Sequence, residues 1–163
     1  MATAWRARVA RRLGRTLVAT ALAGCAGTPP LPPPPTGPVP DIVGTWRGAW
    51  GGHPASLLIT DQAADAPSTG VAIGDHVVLG PRRPGVSAVL TSTIGGAAVS
   101  SRAEGWLGND AGGRLLLVIQ SQSPDGFQRL TLTRVTEDEL QGTGESSFRW
   151  GPQGAARLTR QPR

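Results

Sequence analysis

The fold is decided by the stretch Ile42-Val43-Gly44-Thr45-Trp46-Arg47-Gly48-Ala49-Trp50. Its even positions hold Ile42, Trp46 and Trp50, separated by glycines, while its odd positions include the polar Thr45 and Arg47. Alternation with a period of two is the pattern of a β-strand that turns one face toward a core. Glycines within a strand allow a bend or the close approach of a neighbouring strand. The stretch therefore predicts a first strand that carries two tryptophans on one face.

Further alternating segments follow this strand and are separated by residues that favour turns. Tight links are expected at Gly95-Gly96 and Ser123–Gly126, and turns at Asn109–Gly113 and Glu137–Glu139. Loops are expected at 61–69 and 81–85. The predicted strands are Ala55–Thr60, Gly70–Leu79 with a break at Gly74-Asp75, Val86–Ile94, Ala97–Leu107, Arg114–Gln122, Phe127–Val135, Leu140–Trp150 and Ala155–Arg160.

These segments predict an all-β domain over residues 41–163. About eight or nine strands joined by short links favour an antiparallel meander. Such a meander removes its exposed edges most simply by closing into a small up-and-down β-barrel, so we expect a closed or nearly closed barrel. Polar side chains such as Arg129, Thr131 and Glu145 occupy the opposite faces of the strands, which argues against a barrel that faces lipid.

Residues 1–24 have the order of a secretory signal peptide. A basic segment precedes a short apolar run from Thr16 to Gly24, expected as a leader helix, and small residues lie at its end. About nine residues cannot cross a hydrocarbon core of roughly 30 Å, so this run is not expected to be a transmembrane anchor.

The end of the leader, Leu22-Ala23-Gly24-Cys25, resembles the lipobox of bacterial lipoproteins. The resemblance implies that the signal peptidase recognises Leu22, Ala23 and Gly24, and that Cys25 becomes the lipidated first residue of the mature chain. Two or three acyl chains give stable membrane anchoring, whereas one gives marginal binding. Ala26 follows the cysteine, and in lipoproteins of two-membrane bacteria the lack of Asp there favours the outer membrane. The alternative is an ordinary signal peptide with a chance cysteine.

Residues 25–40 are expected to join the anchor to the barrel. This segment is rich in proline, which favours an extended polyproline II conformation of about 3.1 Å per residue. A linker of this length would hold the domain up to ~40 Å from the membrane. A ligand for a proline-recognition groove is the alternative interpretation.

The basic charge of the chain belongs to its leader. Five of the 16 basic residues precede Cys25, which leaves 11 basic residues against 11 acidic ones in the remainder. No basic field remains there to attract phosphates, so nucleic acid is not an expected partner. One cysteine also excludes a disulfide framework or a cysteine-based metal cluster.

Gly44-Thr45-Trp46 resembles the Gly-x-Trp signature on the first strand of the calycin group, the lipocalins and avidins. The resemblance implies a barrel in which the tryptophan closes one end of the core, and the roles it gives to Gly44 and Trp46 are structural. The biotin site of avidins uses tyrosine, which this chain lacks, so biotin binding is not expected.

No pattern of catalytic, cofactor-binding or metal-ligating residues emerges from the sequence. The bases available to a nucleophilic triad are His53 and His76, and both lie in expected turns or loops. A two-histidine metal site with Asp75 lacks a spacing motif. We therefore predict no catalytic residue, no metal and no cofactor, and we do not expect an enzyme.

Tryptophan 106 is the one aromatic residue of the domain that the pattern places among charges. Trp46, Trp50 and Trp150 fall on apolar faces and are expected in the core, whereas Trp106 alternates with Arg102 and Glu104. An aromatic residue in that position is typical of an interface anchor or a cavity mouth, so Trp106 and Arg102 are the candidate ligand or interface residues.

The sequence leaves two functions open. The first is a lipid-anchored envelope protein whose barrel binds a small or apolar ligand, or another envelope protein. The alternative is a structural or accessory envelope lipoprotein without a small-molecule ligand. Both interpretations place the protein on the bacterial cell envelope, on the outer membrane and facing the periplasm if the host has two membranes.

Overall fold

Eight strands of this chain close into an antiparallel β-barrel, as a computed structural model of residues 33–66, 71–73, 76–78 and 82–162 shows. The described residues contain no helix. The strands are β1 Gly44–Trp50, β2 His53–Ala66, β3 Val71–Ile73, β4 His76–Val78, β5 Arg83–Ile94, β6 Ala97–Asn109, β7 Leu115–Ser123, β8 Gly126–Thr136, β9 Glu139–Ser146 and β10 Gly154–Arg160.

The barrel is an up-and-down meander, which confirms the predicted fold class. Its order is β1-β10-β9-β8-β7-β6-β5-β2, and β2 pairs again with β1. The short strands β3 and β4, which follow β2 and precede β5 in the chain, form a separate two-stranded sheet. Closure depends on the last strand, because Trp46 pairs with Arg160 and Trp50 with Ala156 across β1 and β10. No strand of the barrel is left with an unpaired edge.

The interior is filled by the side chains at the even positions of β1, as predicted, and by the inward-facing side chains of the other strands. Trp46 and Trp50 are both fully buried, as predicted, and the other core residues are mostly leucine, isoleucine, valine and alanine. An eight-stranded barrel is just wide enough inside for its side chains to fill. The hydrophobic effect of this filled axis is the main contribution to the stability of the fold.

The turn at Gly95-Gly96 requires glycine at both positions. Gly95 and Gly96 link β5 to β6 with φ angles of 58° and 85°, a left-handed conformation that side chains with a Cβ atom rarely adopt. The predicted hairpin at Ser123–Gly126 is also confirmed, since Ser123 pairs with Gly126.

Some predicted boundaries are wrong. Residues 61–66 were expected in a loop but continue β2, with register shifts after Ile59 and Ala63, and residues 83–85 belong to β5. These polar, alanine-rich residues pair because β5 continues alongside them, which local sequence does not indicate. The strand predicted to reach Trp150 ends at Ser146, because residues 147–153 form a loop.

The shortened β9 places Trp150 in solvent. Its side chain is 67% exposed, so the expectation that it belongs to the core is wrong. The physical reason is that strand alternation positions a side chain only as far as the strand itself continues. Ser147 still donates a backbone hydrogen bond to the Phe127 carbonyl oxygen on β8, and beyond it the bond from Gly151 N to Phe148 O closes a turn that takes the chain away from the ladder.

Candidate functional site

The barrel has two unlike ends. The upper end consists of the turns 51–52, 95–96 and 124–125 and the loop 147–153. The lower end consists of the turns 110–114 and 137–138, the segment 33–43 that leads into β1, and residues 161–162 that follow β10. Binding sites of small barrels lie at their mouths or inside.

The lower end is closed by Trp46 and the residues around it. The Trp46 indole Nε1 donates a hydrogen bond of 2.9 Å to the carbonyl oxygen of Ile42, and both residues are fully buried. The Arg160 guanidinium lies over the indole ring, with its central carbon 5.4 Å from the ring centroid, and donates to the Val43 carbonyl oxygen at 2.7 Å. A cation over an aromatic face stabilises this arrangement. Sequence reasoning did not single out Arg160, which nonetheless covers the first-strand tryptophan.

The second half of the proline-rich linker lies against the lower end. Pro33 accepts a backbone hydrogen bond of 3.1 Å from Asn109, at the end of β6. The Gln62 side chain donates to the Pro40 carbonyl oxygen at 3.1 Å and accepts from the Ile42 amide at 3.0 Å. Val39 is half-buried and packs against the core. Residues 33–40 are therefore part of the folded unit and do not act as a free spacer, while the first half of the predicted linker lies outside the described residues.

The turns of the lower end are rich in charge. Asp110 accepts hydrogen bonds from the backbone amides of Gly112 and Arg114, both at 2.9 Å, and pairs with the Arg114 side chain at 2.8 Å. The amide of Arg114 is the main cause that lowers the pKa of Asp110. Glu139 pairs with Arg157, and a hydrogen bond from Gln141 is the main cause that lowers its pKa. Each bond favours the ionised carboxylate.

A layer of polar side chains crosses the interior below the upper end. Its members are Ser92, Ser101, Ser121, Gln128 and Ser146, which we call the polar layer. Gln128 on β8 donates a 2.6 Å hydrogen bond to Ser92 on β5, which lies three strands away around the barrel. Ser101 and Ser121 share a bond of 2.8 Å. Each of these residues has an inward position on its strand, so strand alternation in the sequence could have identified the layer.

Trp50 fills the interior beside the polar layer. Its indole lies against the backbone of Gly144, where an added Cβ atom would come within 2.5 Å of Trp50 Nε1 and of the Leu130 side chain. Glycine at that position makes room for the ring. Among the described residues the buried Nε1 of Trp50 has no hydrogen-bond partner, in contrast to the Nε1 of Trp46.

The loop 147–153 crosses the mouth of the barrel above this layer. Gly95, in the turn on the far side of the mouth, donates a 3.2 Å backbone hydrogen bond to the Trp150 carbonyl oxygen. The Gln153 side chain donates to the Ser146 carbonyl oxygen, and Pro152 is buried. The upper mouth is therefore covered by the chain itself, and a ligand could reach the interior only if this loop moved.

The Trp150 side chain stands out from that loop. The Arg149 guanidinium lies over its ring, 5.1 Å from the centroid, and leaves the indole largely in solvent. Val99 is 39% exposed and lies near the same end on β6, and Ile94 is half-buried beside the turn at Gly95. In the turns and the loop of the upper end, the charged side chains are those of Asp125 and Arg149.

The two candidate residues on β6 lie on the outer face, as predicted, but they differ in exposure. Arg102 is exposed, whereas Trp106 is 7% exposed. The expectation of a surface aromatic at Trp106 is therefore wrong. Its strand neighbours include Gly85 on β5 and Gly105, and sequence alternation alone does not report what covers an outward-facing ring. Trp106 and Arg102 do not form a joint exposed site.

The remaining candidate residues are placed as follows. Leu22, Ala23, Gly24 and Cys25 lie outside the described residues. His53 is exposed at the start of β2, and His76 belongs to β4. No group of three potential metal ligands is found among the described residues. In the same part of the chain, no helix has the length and apolar character that a membrane span requires.

Comparison with known proteins places the chain in no family. No protein-family model, no curated protein and no solved structure matches it.

Proposed function

We propose that this chain is a lipid-anchored protein of the bacterial cell envelope whose barrel acts by surface contact with another envelope protein. Cys25 carries the lipid, the proline-rich residues after it join the lipid to the barrel, and the barrel is the part that meets the partner. In a host with two membranes the anchor lies in the outer membrane and the barrel faces the periplasm, because Ala26 and not Asp follows the cysteine.

The anchor is supported by the order of the sequence before the barrel. A basic segment, a short apolar run and the lipobox-like Leu22-Ala23-Gly24-Cys25 follow one another without interruption. The cysteine lies eight residues before Pro33, the first linker residue with a described contact to the barrel. This spacing leaves Cys25 available at the start of a mature chain, and the remaining prolines separate it from the fold.

The filled interior is the observation that favours surface contact. Trp46 and Ile42 occupy the axis at the lower end, Trp50 occupies it higher up, and the bond between Gln128 and Ser92 spans it near the mouth. A barrel whose axis is occupied by its own side chains offers its outer surface to a partner. Exposed tryptophan is enriched among the residues that dominate binding at protein interfaces. Trp150 is such a residue.

Replacement of Cys25 by Ser tests the anchor. We expect the Cys25→Ser protein to leave the membrane fraction and to retain its leader, because both lipidation and the cut before the cysteine require the thiol. Radiolabelled palmitate should enter the unchanged protein and not the variant. Unchanged fractionation and processing in the variant would contradict the proposal.

A small ligand inside the barrel is the second candidate function, and the polar layer favours it. Hydroxyl and amide groups buried beneath a loop are the kind of groups that orient a ligand in an otherwise apolar cavity. Native mass spectrometry of the protein purified from its host decides between the two candidates. A co-purified small molecule that is absent from the Gln128→Leu variant would favour the ligand. A bare mass, together with a larger complex in mild detergent, would favour the protein partner.

A further inference from the structure

We infer that a groove at the lower end of the barrel, between the linker residues 35–40 and the Arg134 side chain, binds a small organic acid that has one carboxylate and a short apolar body. We call it the linker groove. It lies between the linker and the ends of β7 and β8, and it is distinct from the polar layer inside the barrel. The inference goes beyond the proposed function and depends neither on Cys25 nor on a protein partner.

The two sides of the linker groove are held in place by the fold. Residues 35–40 form one side, the first residues of β7 and the last residues of β8 form the other, and the groove has a volume of about 460 Å³. The Thr36 hydroxyl lies 3.0 Å from the side-chain amide of Asn109, and Gln62 donates to the Pro40 carbonyl oxygen at 3.1 Å. Ligand sites have volumes of about 300–1,000 Å³. A site whose sides are ordered before binding loses little conformational entropy when it binds.

Three apolar side chains line the linker groove. Val39 and Leu115 are half-buried and pack against the core. Val135 is 45% exposed, because the register of β8 against β9 shifts between Arg134 and Thr136 and leaves Val135 without a partner in that ladder. Such a bulge redirects a side chain and is common beside functional sites. These side chains supply the contact for the apolar body of the ligand.

Arg134 supplies the charge that recognises the carboxylate. Its side chain is half-buried, and its guanidinium donates a 3.3 Å hydrogen bond to the Glu137 carbonyl oxygen, which is a neutral group. Among the described residues, its buried Nε has no hydrogen-bond partner and none of the ion pairs includes Arg134. A charge removed from water is costly unless it is paired. A carboxylate pairs with a guanidinium through as many as two parallel hydrogen bonds, so it is the group that completes this site.

The other charged side chains of the linker groove do not cancel the charge of Arg134. Arg114 pairs with Asp110 at 2.8 Å, so its positive charge already has a partner. Glu137 is exposed, and solvent screens an exposed charge more strongly than a half-buried one. The groove therefore favours an anion over a neutral or cationic ligand of the same shape.

Titration of the isotopically labelled full chain in dodecylmaltoside with phenylacetate tests the inference by nuclear magnetic resonance. Phenylacetate has one carboxylate and a short apolar body. The amide signals of Val39, Leu115 and Val135 should shift together and saturate, with a Kd of about 1 mM or lower. Phenylacetamide has nearly the same shape without the charge. It should bind about tenfold more weakly, because it lacks the charge-assisted hydrogen bond to Arg134.

Two arginine variants separate the linker groove from general attraction of anions. Arg134→Gln should weaken phenylacetate binding by about tenfold and leave phenylacetamide binding unchanged. Arg149→Gln is the matched control, because it removes an exposed arginine at the upper end, and it should leave both affinities unchanged. Circular dichroism checks that the variants fold. If Arg134→Gln does not fold, the comparison of the acid with the amide in the unchanged protein still decides whether charge is recognised.

Four results would overturn the inference. Without a saturable shift at the three lining amides, the groove binds no such acid. Equal affinities for the acid and the amide would remove the role of the charge. Shifts confined to the polar layer, at Ser92 and Gln128, would place the ligand inside the barrel. Equal losses in Arg134→Gln and Arg149→Gln would show general attraction of anions. None of these results depends on the fractionation of Cys25→Ser, so the proposed function is tested separately.

Discussion

The two ends of the barrel are closed by different kinds of contact. At the lower end, Trp46 lies under Arg160, the turn 110–114 carries the ion pair Arg114–Asp110, and Arg157 on β10 pairs with Glu139 on β9. At the upper end, a backbone loop crosses the mouth, and Asp125 and Arg149 supply the charge of its turns and loop. One end is thus solvated by many charges, and the other exposes a tryptophan.

This difference separates an end whose side-chain contacts hold the fold from an end whose exposed tryptophan is not needed for it. Surface ion pairs contribute little to stability, with a median of about 0–1 kcal/mol, but they keep a surface hydrated and resist apolar contact. The exposed Trp150 side chain contributes little to the fold of its own chain. Substitutions at each end can test this division.

The two buried tryptophans should differ when each is replaced by phenylalanine. Both variants lose ring volume, but Trp46→Phe also leaves the buried Ile42 carbonyl oxygen without the donor that Trp46 supplies at 2.9 Å. Trp50 has no such bond among the described residues. An unsatisfied buried acceptor costs about 1–3 kcal/mol, so Trp46→Phe should lower the free energy of unfolding by that much more than Trp50→Phe. Urea unfolding followed by far-ultraviolet circular dichroism measures the unfolding free energy of both variants. Equal losses of unfolding free energy would contradict a stabilising role of the hydrogen bond between Trp46 and Ile42.

Gln62 should hold the linker to the lower end. Gln62→Leu removes the bonds to the Pro40 carbonyl oxygen and the Ile42 amide, and the expected loss is about 1–2 kcal/mol because solvent can replace part of what is lost. Amide hydrogen exchange at Ile42 should become faster.

The matched control at the same end is Gln161→Leu, which removes a local 3.1 Å bond to the Thr159 carbonyl oxygen. This control should leave exchange at Ile42 unchanged. If both variants speed exchange equally, the linker is not held through Gln62.

Acid should weaken the lower end through Asp110 and Glu139. The pKa of each is lowered in the folded protein, from ordinary values of 3.8 and 4.5, so the stabilisation is present above these values. It is lost as the pH falls through the lower pKa values of the folded state, because the unfolded chain then binds more protons. The Asp110→Asn, Glu139→Gln double variant should show a flatter fall of unfolding free energy below about pH 5. An unchanged slope in urea titrations at successive pH values would refute this.

Trp150 should matter least to the stability of the fold. Trp150→Ser removes a side chain that is 67% exposed, so the free energy of unfolding should change by no more than about 0.5 kcal/mol. Urea unfolding checks this value under the conditions used for the buried tryptophans. A loss of 2 kcal/mol or more would show that the ring stabilises the loop across the mouth, and the division between the two ends would then fail.

The face of the strand on which each side chain lies was predictable, because alternation is a local property of the chain. The even positions from Ile42 to Trp50 and the aliphatic positions such as Leu117 and Ile119 point inward as expected. The same rule failed at Trp150, because a loop begins after Ser146, and it could not report that the outward-facing Trp106 is covered. The continuation of β2 through residues 61–66 was missed because its polar residues gain their bonds from β5.

The contacts at the two ends of the barrel were predictable from the sequence to different degrees. Polar residues at inward positions, such as Gln128, could have been found by extending the alternation rule to polar side chains. The contact of Arg160 with Trp46 could not, since 114 residues separate them and only barrel closure brings β10 beside β1. The linker contact through Gln62 was hidden for the same reason, as prolines predict extension and not the surface they lie on.

The strand pattern, the all-β class and the candidate anchor at Cys25 followed from the sequence alone, because strand alternation, turn chemistry and a lipobox-like segment are properties of neighbouring residues. Packing between strands showed which tryptophans are buried, which part of the linker lies against the barrel and which end of the barrel carries fewer charges. These features depend on packing between strands that are distant in the chain. A hydrophobic side chain is placed by the neighbours that remove it from water, and those neighbours are fixed only when the barrel closes.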